Sequence, residues 1–101
     1  MFTNTPPTPY YAVIFTSMLS DNTEGYKEMA EKMIILAGKQ DGFIGMDSSR
    51  SEIGITVSYW KDMESIQKWS KVREHEIAKS AGKLRWYKEY KSRISKLVKE
   101  Y

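Results

Sequence analysis

The chain has 101 residues, a net charge of +3 and no cysteine. This length supports one hydrophobic core, and the lack of cysteine excludes disulfides, thiolate metal sites and a cysteine nucleophile. No apolar run approaches the roughly 20 residues of a membrane-spanning helix, and no secretory signal is evident, so we expect a cytoplasmic protein that does not bind membranes. Eleven basic and four acidic residues lie in residues 68–101. Because the basic residues are spread and interrupted by acids, they indicate a solvated face and no nucleic-acid site.

The first half of the chain predicts a tail, a strand and a helix. Residues 1–9 contain three prolines and predict an extended tail, so the predicted domain covers residues 10–101. The segment YYAVIFTS, residues 10–17, is rich in aromatic and β-branched residues and predicts an inner strand. Apolar residues recur every three or four positions over residues 26–37, which predicts an amphipathic helix that ends at Gly38. The candidates for its N-cap are Asp21, Asn22 and Thr23.

The second half predicts a hairpin, a helix and a segment of ambiguous type. GFIGMDSSR and EIGITVSYW, residues 42–50 and 52–60, predict two strands joined by a short antiparallel turn. Asp62 suits the N-cap of a helix that includes Trp69, and a further helical stretch is expected to run to Gly82. The last segment, WYKEYKSRISKLV, fits a helix or a strand by periodicity, and its aromatic and β-branched residues favour the strand.

This order of elements predicts a ferredoxin-like α+β fold, in which a four-stranded antiparallel sheet carries both helices on one face. The other face of such a sheet is bare. Apolar side chains on it would form a patch that monomers rarely expose, and two sheets packed face to face would cover it. We therefore expect a homodimer.

The segments GFIGMDS, GITVSYWKDMESIQKW and HEIAKSAG, followed by WYKEYKSRI, resemble the antibiotic biosynthesis monooxygenase family. The resemblance runs from about residue 10 to residue 98. It implies a dimeric α+β barrel, and it implies that the last segment is a strand. The family contains cofactor-independent oxygenases of quinol or polyphenol substrates, haem-degrading enzymes and members without an established activity.

The resemblance also implies candidate catalytic residues. The haem degraders combine a first-strand asparagine, a tryptophan and an iron-ligating histidine, whereas this chain has Trp69 and His75 but Thr16 and Ser17 on its first strand. The oxygenases without haem place a tryptophan in a cavity between sheet and helices, near an asparagine and a tyrosine. Trp69 matches that tryptophan, and Ser65 stands one turn earlier, where an amide would be expected.

His75 is the only histidine of the chain, and histidine ordinarily titrates near pH 6.5, which suits proton transfer at neutral pH. We predict that it faces an apolar cavity with Trp69 and acts as the base, the alternative being an exposed histidine on a charged helix. The candidates for substrate binding are Ser65, Trp60, Tyr59 and Arg93. For the two aromatic residues the alternative is a core or interface role. For the arginine the alternative is an ion pair with a carboxylate across the sheet, and we expect this pairing. A lone histidine without cysteine predicts no metal site.

Three functions follow as hypotheses. The first is a cofactor-independent monooxygenase that binds a small aromatic quinol or polyphenol and needs no cofactor. The second is a non-catalytic ligand-binding or stress-associated dimer of the same fold. Haem degradation ranks third because the first-strand asparagine is missing.

We predict that the protein forms no tight stoichiometric haem complex, because a histidine and a tryptophan without the asparagine are an incomplete set. Titration with haemin, followed by absorbance, should show no sharp Soret band that saturates at one haem per chain. Such a band, together with its loss in His75→Ala, would move haem degradation ahead of the other functions.

Overall fold

The computed structural model describes residues 2–79 and 86–101. Its elements are β1 (Tyr10–Leu19), α1 (Tyr26–Gly38), β2 (Phe43–Arg50), β3 (Gly54–Trp60), α2 (Met63–Lys79) and β4 (Tyr87–Leu97). The strands form one antiparallel sheet in the order β2-β3-β1-β4. The predicted ferredoxin-like α+β fold is therefore confirmed, and so is the strand at the end of the chain. Neither α1 nor α2 is long and apolar enough to cross a bilayer.

The helix ends confirm some expectations and correct others. The cap of α1 is Gly25, with a φ of 82° and no side-chain hydrogen bond, so the prediction of an Asp21, Asn22 or Thr23 side-chain cap is wrong. A glycine adopts this left-handed conformation without steric cost. Because glycine has no side chain, it cannot accept a hydrogen bond from the first turn of the helix as a polar cap would. Asp62 is confirmed as the cap of α2, since its Oδ1 accepts a hydrogen bond from the Ser65 N–H at 2.8 Å. Gly82, the expected end of the further helical stretch, lies outside the described residues.

The core lies between the two helices and one face of the sheet, termed the helix face. Side chains alternate along a strand, and the register pairs Val13 of β1 with Ser58 of β3, two residues before Trp60. Val13 and Trp60 therefore point toward the helices, where they form a buried cluster with Ala37 of α1 and with Ile66 and Trp69 of α2. This cluster fixes both helices on the same side of the sheet.

The opposite side of the sheet, termed the outer face, has no helix on it. Register places Ile14 of β1 beside Val57 of β3, and Ile55 projects from the same face two residues away. Ile55 keeps 47% of its surface exposed, while Ile14 and Val57 are half-buried. An aliphatic patch on the outer face is thus uncovered in the single chain.

The N-terminal tail, residues 2–9, is hydrogen-bonded to one end of the outer face. The N–H and the hydroxyl of Thr3 donate to Oδ1 of Asp47 at 3.1 and 2.9 Å, and the Tyr59 hydroxyl donates to Oδ2 at 3.0 Å. Hydrogen bonds to a carboxylate favour its charged form, and those from Thr3 contribute most to holding the pKa of Asp47 below its usual value. A second carboxylate, Glu100, accepts hydrogen bonds from Thr5 and Tyr10.

We predict that Asp47→Asn releases the tail, because the amide replaces a charged acceptor with a neutral one. Amide exchange of residues 2–5, followed by mass spectrometry at neutral pH, should become faster in this variant. In the parent, the contribution of Asp47 is present at neutral pH and is lost as the pH falls through its lowered folded-state pKa, below about 3.9.

Asp41→Asn is the matched control, since Asp41 is an exposed aspartate in the segment between α1 and β2. Equal exchange rates for the tail in the parent and in Asp47→Asn would contradict this anchoring.

Candidate functional site

Two of the predicted site residues, Trp69 and Trp60, meet in the core. Their rings stack with centroids 5.9 Å apart and 24° between the planes. Trp60 has no exposed surface and Trp69 exposes 6% of its own. The Trp60 indole N–H donates to the hydroxyl of Ser58 at 2.9 Å, which satisfies the polar atom of this ring. The pair therefore joins β3 to α2 as packed core.

Ser65, a predicted substrate-binding residue, is buried in the first turn of α2. Its side chain packs against Gly42, which has a φ of 84° and where a Cβ atom would overlap the Ser65 hydroxyl. The turn before β2 can approach α2 this closely only because residue 42 is a glycine. A polar cleft of about 210 Å³ lies beside Ser65.

The predicted residues Tyr59 and Arg93 lie on the outer face, on the other side of the sheet from Trp69. Burial, followed by the contact with Asp47, raises the pKa of Tyr59. Arg93 of β4 is exposed and stands opposite Ile14 of β1. The ion pairs found among residues 2–79 and 86–101 do not include it, so the expected pairing across the sheet is absent.

His75 is exposed on α2, six residues beyond the buried Trp69. Six residues correspond to about 120° around an α-helix, so the two side chains leave the helix in different directions. The structure therefore does not bring His75 and Trp69 together in one cavity. The role of His75 in proton transfer stays a prediction.

A different set of side chains converges at the far end of the helix face. One row of the sheet register runs from Arg50 through Gly54 and Ser17 to Tyr90. The Arg50 side chain folds over Gly54, where a Cβ atom would overlap its guanidinium. From there Arg50 donates to the Ser17 hydroxyl at 2.5 Å and to the Ser17 carbonyl at 3.4 Å. The arginine–tyrosine cluster is defined as Phe15, Ser17, Tyr26, Arg50, Gly54, Arg73, Tyr87 and Tyr90.

The Tyr26 ring contacts the Arg50 guanidinium, and further aromatic rings extend from Tyr26. Its central carbon lies 5.7 Å from the centroid of the Tyr26 ring, and its Nη2 lies 3.4 Å from the Tyr26 hydroxyl. Tyr26 meets Tyr87 edge-on at 5.8 Å, and Phe15 contacts Tyr87 and Tyr90 at 5.4 and 5.8 Å. The rings thus form a continuous surface from the start of α1 to the start of β4.

Trp86, which is 97% buried just before β4, holds these rings in place. Its indole N–H donates to the carbonyl of Glu24 at 2.7 Å, and its own carbonyl accepts from the N–H of Ser20 at 2.8 Å. Its ring also contacts Tyr26 edge-on at 6.0 Å. Trp86 therefore ties the first residues of α1 to the first residues of β4, and its burial agrees with a core role.

Two arginines lie near the hydroxyl of Tyr87. Burial raises the pKa of Tyr87 far above its ordinary value and Tyr26 raises it further, whereas Arg50 and Arg73 act in the opposite direction. The hydroxyl is therefore protonated at neutral pH, and its side-chain hydrogen-bond partner within the structure is Tyr26. Neither arginine takes part in an ion pair among the described residues. The cluster thus combines an aromatic surface, a hydroxyl donor and two positive charges without a carboxylate partner.

Sequence reasoning missed this cluster because its members come from six separate elements and each, alone, fits a core or surface role. One signal was present. In the predicted hairpin, Gly54 stands opposite Arg50 and leaves room for a long side chain above it.

Comparison with known proteins identifies solved structures of the same fold and one relative by sequence. No protein-family model matches the sequence. The fold matches SnoaB, a cofactor-independent oxygenase from Streptomyces nogalater, with a TM-score of 0.70 and 6% identity over 87% of this chain and 92% of that chain. It also matches a dimeric ferredoxin-like protein from an uncultured marine organism, with a TM-score of 0.68 and 10% identity over 93% of this chain and 92% of that chain.

At the level of sequence, the chain is 47% identical over 98 residues to the uncharacterized protein YqjZ of Bacillus subtilis (strain 168). The alignment covers 95% of this chain and 86% of YqjZ. The chain therefore belongs to the same family as YqjZ.

Proposed function

We propose that the protein is a small monooxygenase that binds an easily oxidised aromatic molecule at the arginine–tyrosine cluster and uses no cofactor. The observation that carries this proposal is the aromatic surface of Phe15, Tyr87 and Tyr90 beside two arginines without carboxylate partners. Tyr90 is 56% exposed, so a ligand can reach this surface. The fold shared with a cofactor-independent oxygenase and the resemblance to the antibiotic biosynthesis monooxygenase family support it.

Direct reaction of a quinol or polyphenol with dioxygen starts from the ionised substrate, which is the electron donor. In the keto tautomer of the phenol, the reacting carbon loses two hydrogens and gains one oxygen atom as a carbonyl. The second oxygen atom leaves with those hydrogens as water, so the substrate supplies all the electrons. The protein therefore has to favour the anion, hold its ring and exclude water.

The cluster has groups suited to this task. Positive charge within a few ångströms of a phenol favours its ionised form, and Arg50 and Arg73 supply that charge from β2 and α2. Tyr87 is a hydrogen-bond donor to a substrate oxygen and not a base, because burial raises its pKa. The proton passes to solvent at the exposed side of the cluster. His75 stays the alternative base predicted from the sequence, although Arg73 and His75, two residues apart on α2, leave that helix in nearly opposite directions.

A non-catalytic ligand-binding dimer is the second candidate. It is favoured by the close packing of Trp69 against Trp60, which leaves that tryptophan as core, and by the exposure of His75. A binding protein needs the aromatic surface and the positive charge but no proton acceptor.

We predict oxygen uptake by the parent protein with hydroquinones and polyphenols, without added metal or flavin. Tyr87→Phe should lower kcat by about 10- to 100-fold, the usual effect of losing one hydrogen bond to a charged group. His75→Ala should lower it by about 10²- to 10⁴-fold if His75 is the base, and should leave it unchanged if solvent takes the proton.

Tyr101→Phe is the matched control for Tyr87→Phe, because Tyr101 is fully exposed at the end of the chain. Oxygen uptake by the parent no faster than the uncatalysed reaction would remove the enzyme proposal and leave the ligand-binding dimer in its place.

We also propose that the protein forms a homodimer in which the outer faces of two sheets pack together. The aliphatic patch of Ile14, Ile55 and Val57 supports it, as does the dimeric state named for a protein of the same fold. Light scattering at micromolar concentration should give about twice the chain mass of 11.8 kDa.

Ile55→Lys should shift this protein toward the monomer, because it places a charge in the proposed interface. Ile35→Lys is the matched control, since Ile35 is an exposed isoleucine on α1, away from the sheet. A parent that runs as a stable monomer would contradict the dimer.

A further inference from the structure

We propose that Arg50, seated on Gly54, recognises the carboxylate of the ligand, so that the natural ligand class is a hydroxylated aromatic carboxylate. This inference rests on the proposed function, because it names the ligand of the same cluster. It is carried by three features of Arg50: its charge has no ion-pair partner within residues 2–79 and 86–101, its position is fixed, and an aromatic surface lies beside it.

Within residues 2–79 and 86–101, the hydrogen-bond partners of the Arg50 guanidinium are all neutral groups. Its three hydrogen bonds go to the hydroxyl and carbonyl of Ser17 and to the hydroxyl of Tyr26, and the last two are long at 3.4 Å. A guanidinium has five N–H donors, so part of its hydrogen-bonding capacity is unused by residues 2–79 and 86–101. A carboxylate is the group whose shape and charge best match such a donor set.

The position of Arg50 is fixed by a buried support. Ser17, its closest partner, is only 2% exposed, and Gly54 is buried beneath the guanidinium. Any larger residue at position 54 would occupy the space that the guanidinium takes. Most surface arginines lose side-chain freedom when they bind a ligand, and an arginine already held in place loses less. The arrangement is therefore preorganised for binding.

The aromatic surface lies at a suitable distance from the charge. Tyr90 stands on β4 next to Ser17 of β1, so its backbone is one strand spacing, about 5 Å, beyond the residue that Arg50 contacts, and its side chain projects from the same face. A benzoate-sized ligand with its carboxylate at Arg50 would lay its ring toward Tyr90 and Phe15, which tilt 33° to each other. Its hydroxyl groups would then lie near Tyr87, the donor of the proposed reaction.

The test compares two probes that share a ring, 2,5-dihydroxybenzoate and hydroquinone, by titration calorimetry. The parent should bind the carboxylate at least 10-fold more tightly. Arg50→Gln should abolish this preference. Arg50→Lys should keep part of it, because lysine has the charge but not the planar guanidinium. Gly54→Ala should weaken it, because the added methyl group displaces the guanidinium. Lys39→Gln is the matched control, because it removes one charge at the exposed C-cap of α1, at the opposite end of that helix from Tyr26.

Equal affinity for the two probes, or an unchanged Kd in Arg50→Gln, would overturn the inference. Arg50 is exposed, so the Arg50 variants should fold. They provide the test even if Gly54→Ala fails to fold. Oxygen uptake separates this inference from the proposed function. A carboxylate preference without oxygen uptake would remove the enzyme and keep the binding site. Equal oxygen uptake and equal binding with both probes would keep the enzyme and remove the carboxylate site.

Discussion

The pairing of β1 with both of its neighbours is the constraint on which the rest of the molecule depends. Ser17 stands opposite Gly54 on one side and Tyr90 on the other, and the same register sends Val13 toward the helices. Because side chains alternate between faces, a slip of one residue would move every one of these groups to the opposite side of the sheet. The core, the arginine–tyrosine cluster and the outer patch therefore share one structural cause.

Tyrosines line both faces of the sheet, but the charges beside them have opposite signs. On the outer face, Tyr10 and Tyr59 donate to Glu100 and Asp47 beside a cleft of about 600 Å³. On the helix face, Tyr26 and Tyr87 lie beside arginines. The outer cleft is larger than the cleft beside Ser65, yet its carboxylates would repel the anion that the proposed oxygenase reaction needs. For an anionic ligand, electrostatics therefore favours the arginine–tyrosine cluster over the outer cleft.

Much of the fold could be predicted from the sequence, because periodicity reports which residues of an element point the same way. Asp62 and Gly38 were also recognisable as helix ends. The candidate site could not be predicted in the same manner, because it depends on which residues of different strands stand side by side. His75 was predicted from its chemistry and from its place in the segment that resembles the family, and neither of these shows which way a side chain points. Arg50 looked like an ordinary hairpin residue until the register placed it over Gly54.

The tryptophan stack has an indirect part in this arrangement. Arg73 reaches the cluster from α2, whereas Arg50 reaches it from β2, so the two charges keep their spacing only if α2 keeps its place on the sheet. That place is fixed by Trp69 against Trp60 and by the 2.7 Å ion pair between Lys32 of α1 and Glu76 of α2. Packed interiors resist small displacements, so the stack holds the distance between the two arginines. The packing of Trp69 on Trp60 therefore helps to set where Arg73 lies relative to Arg50.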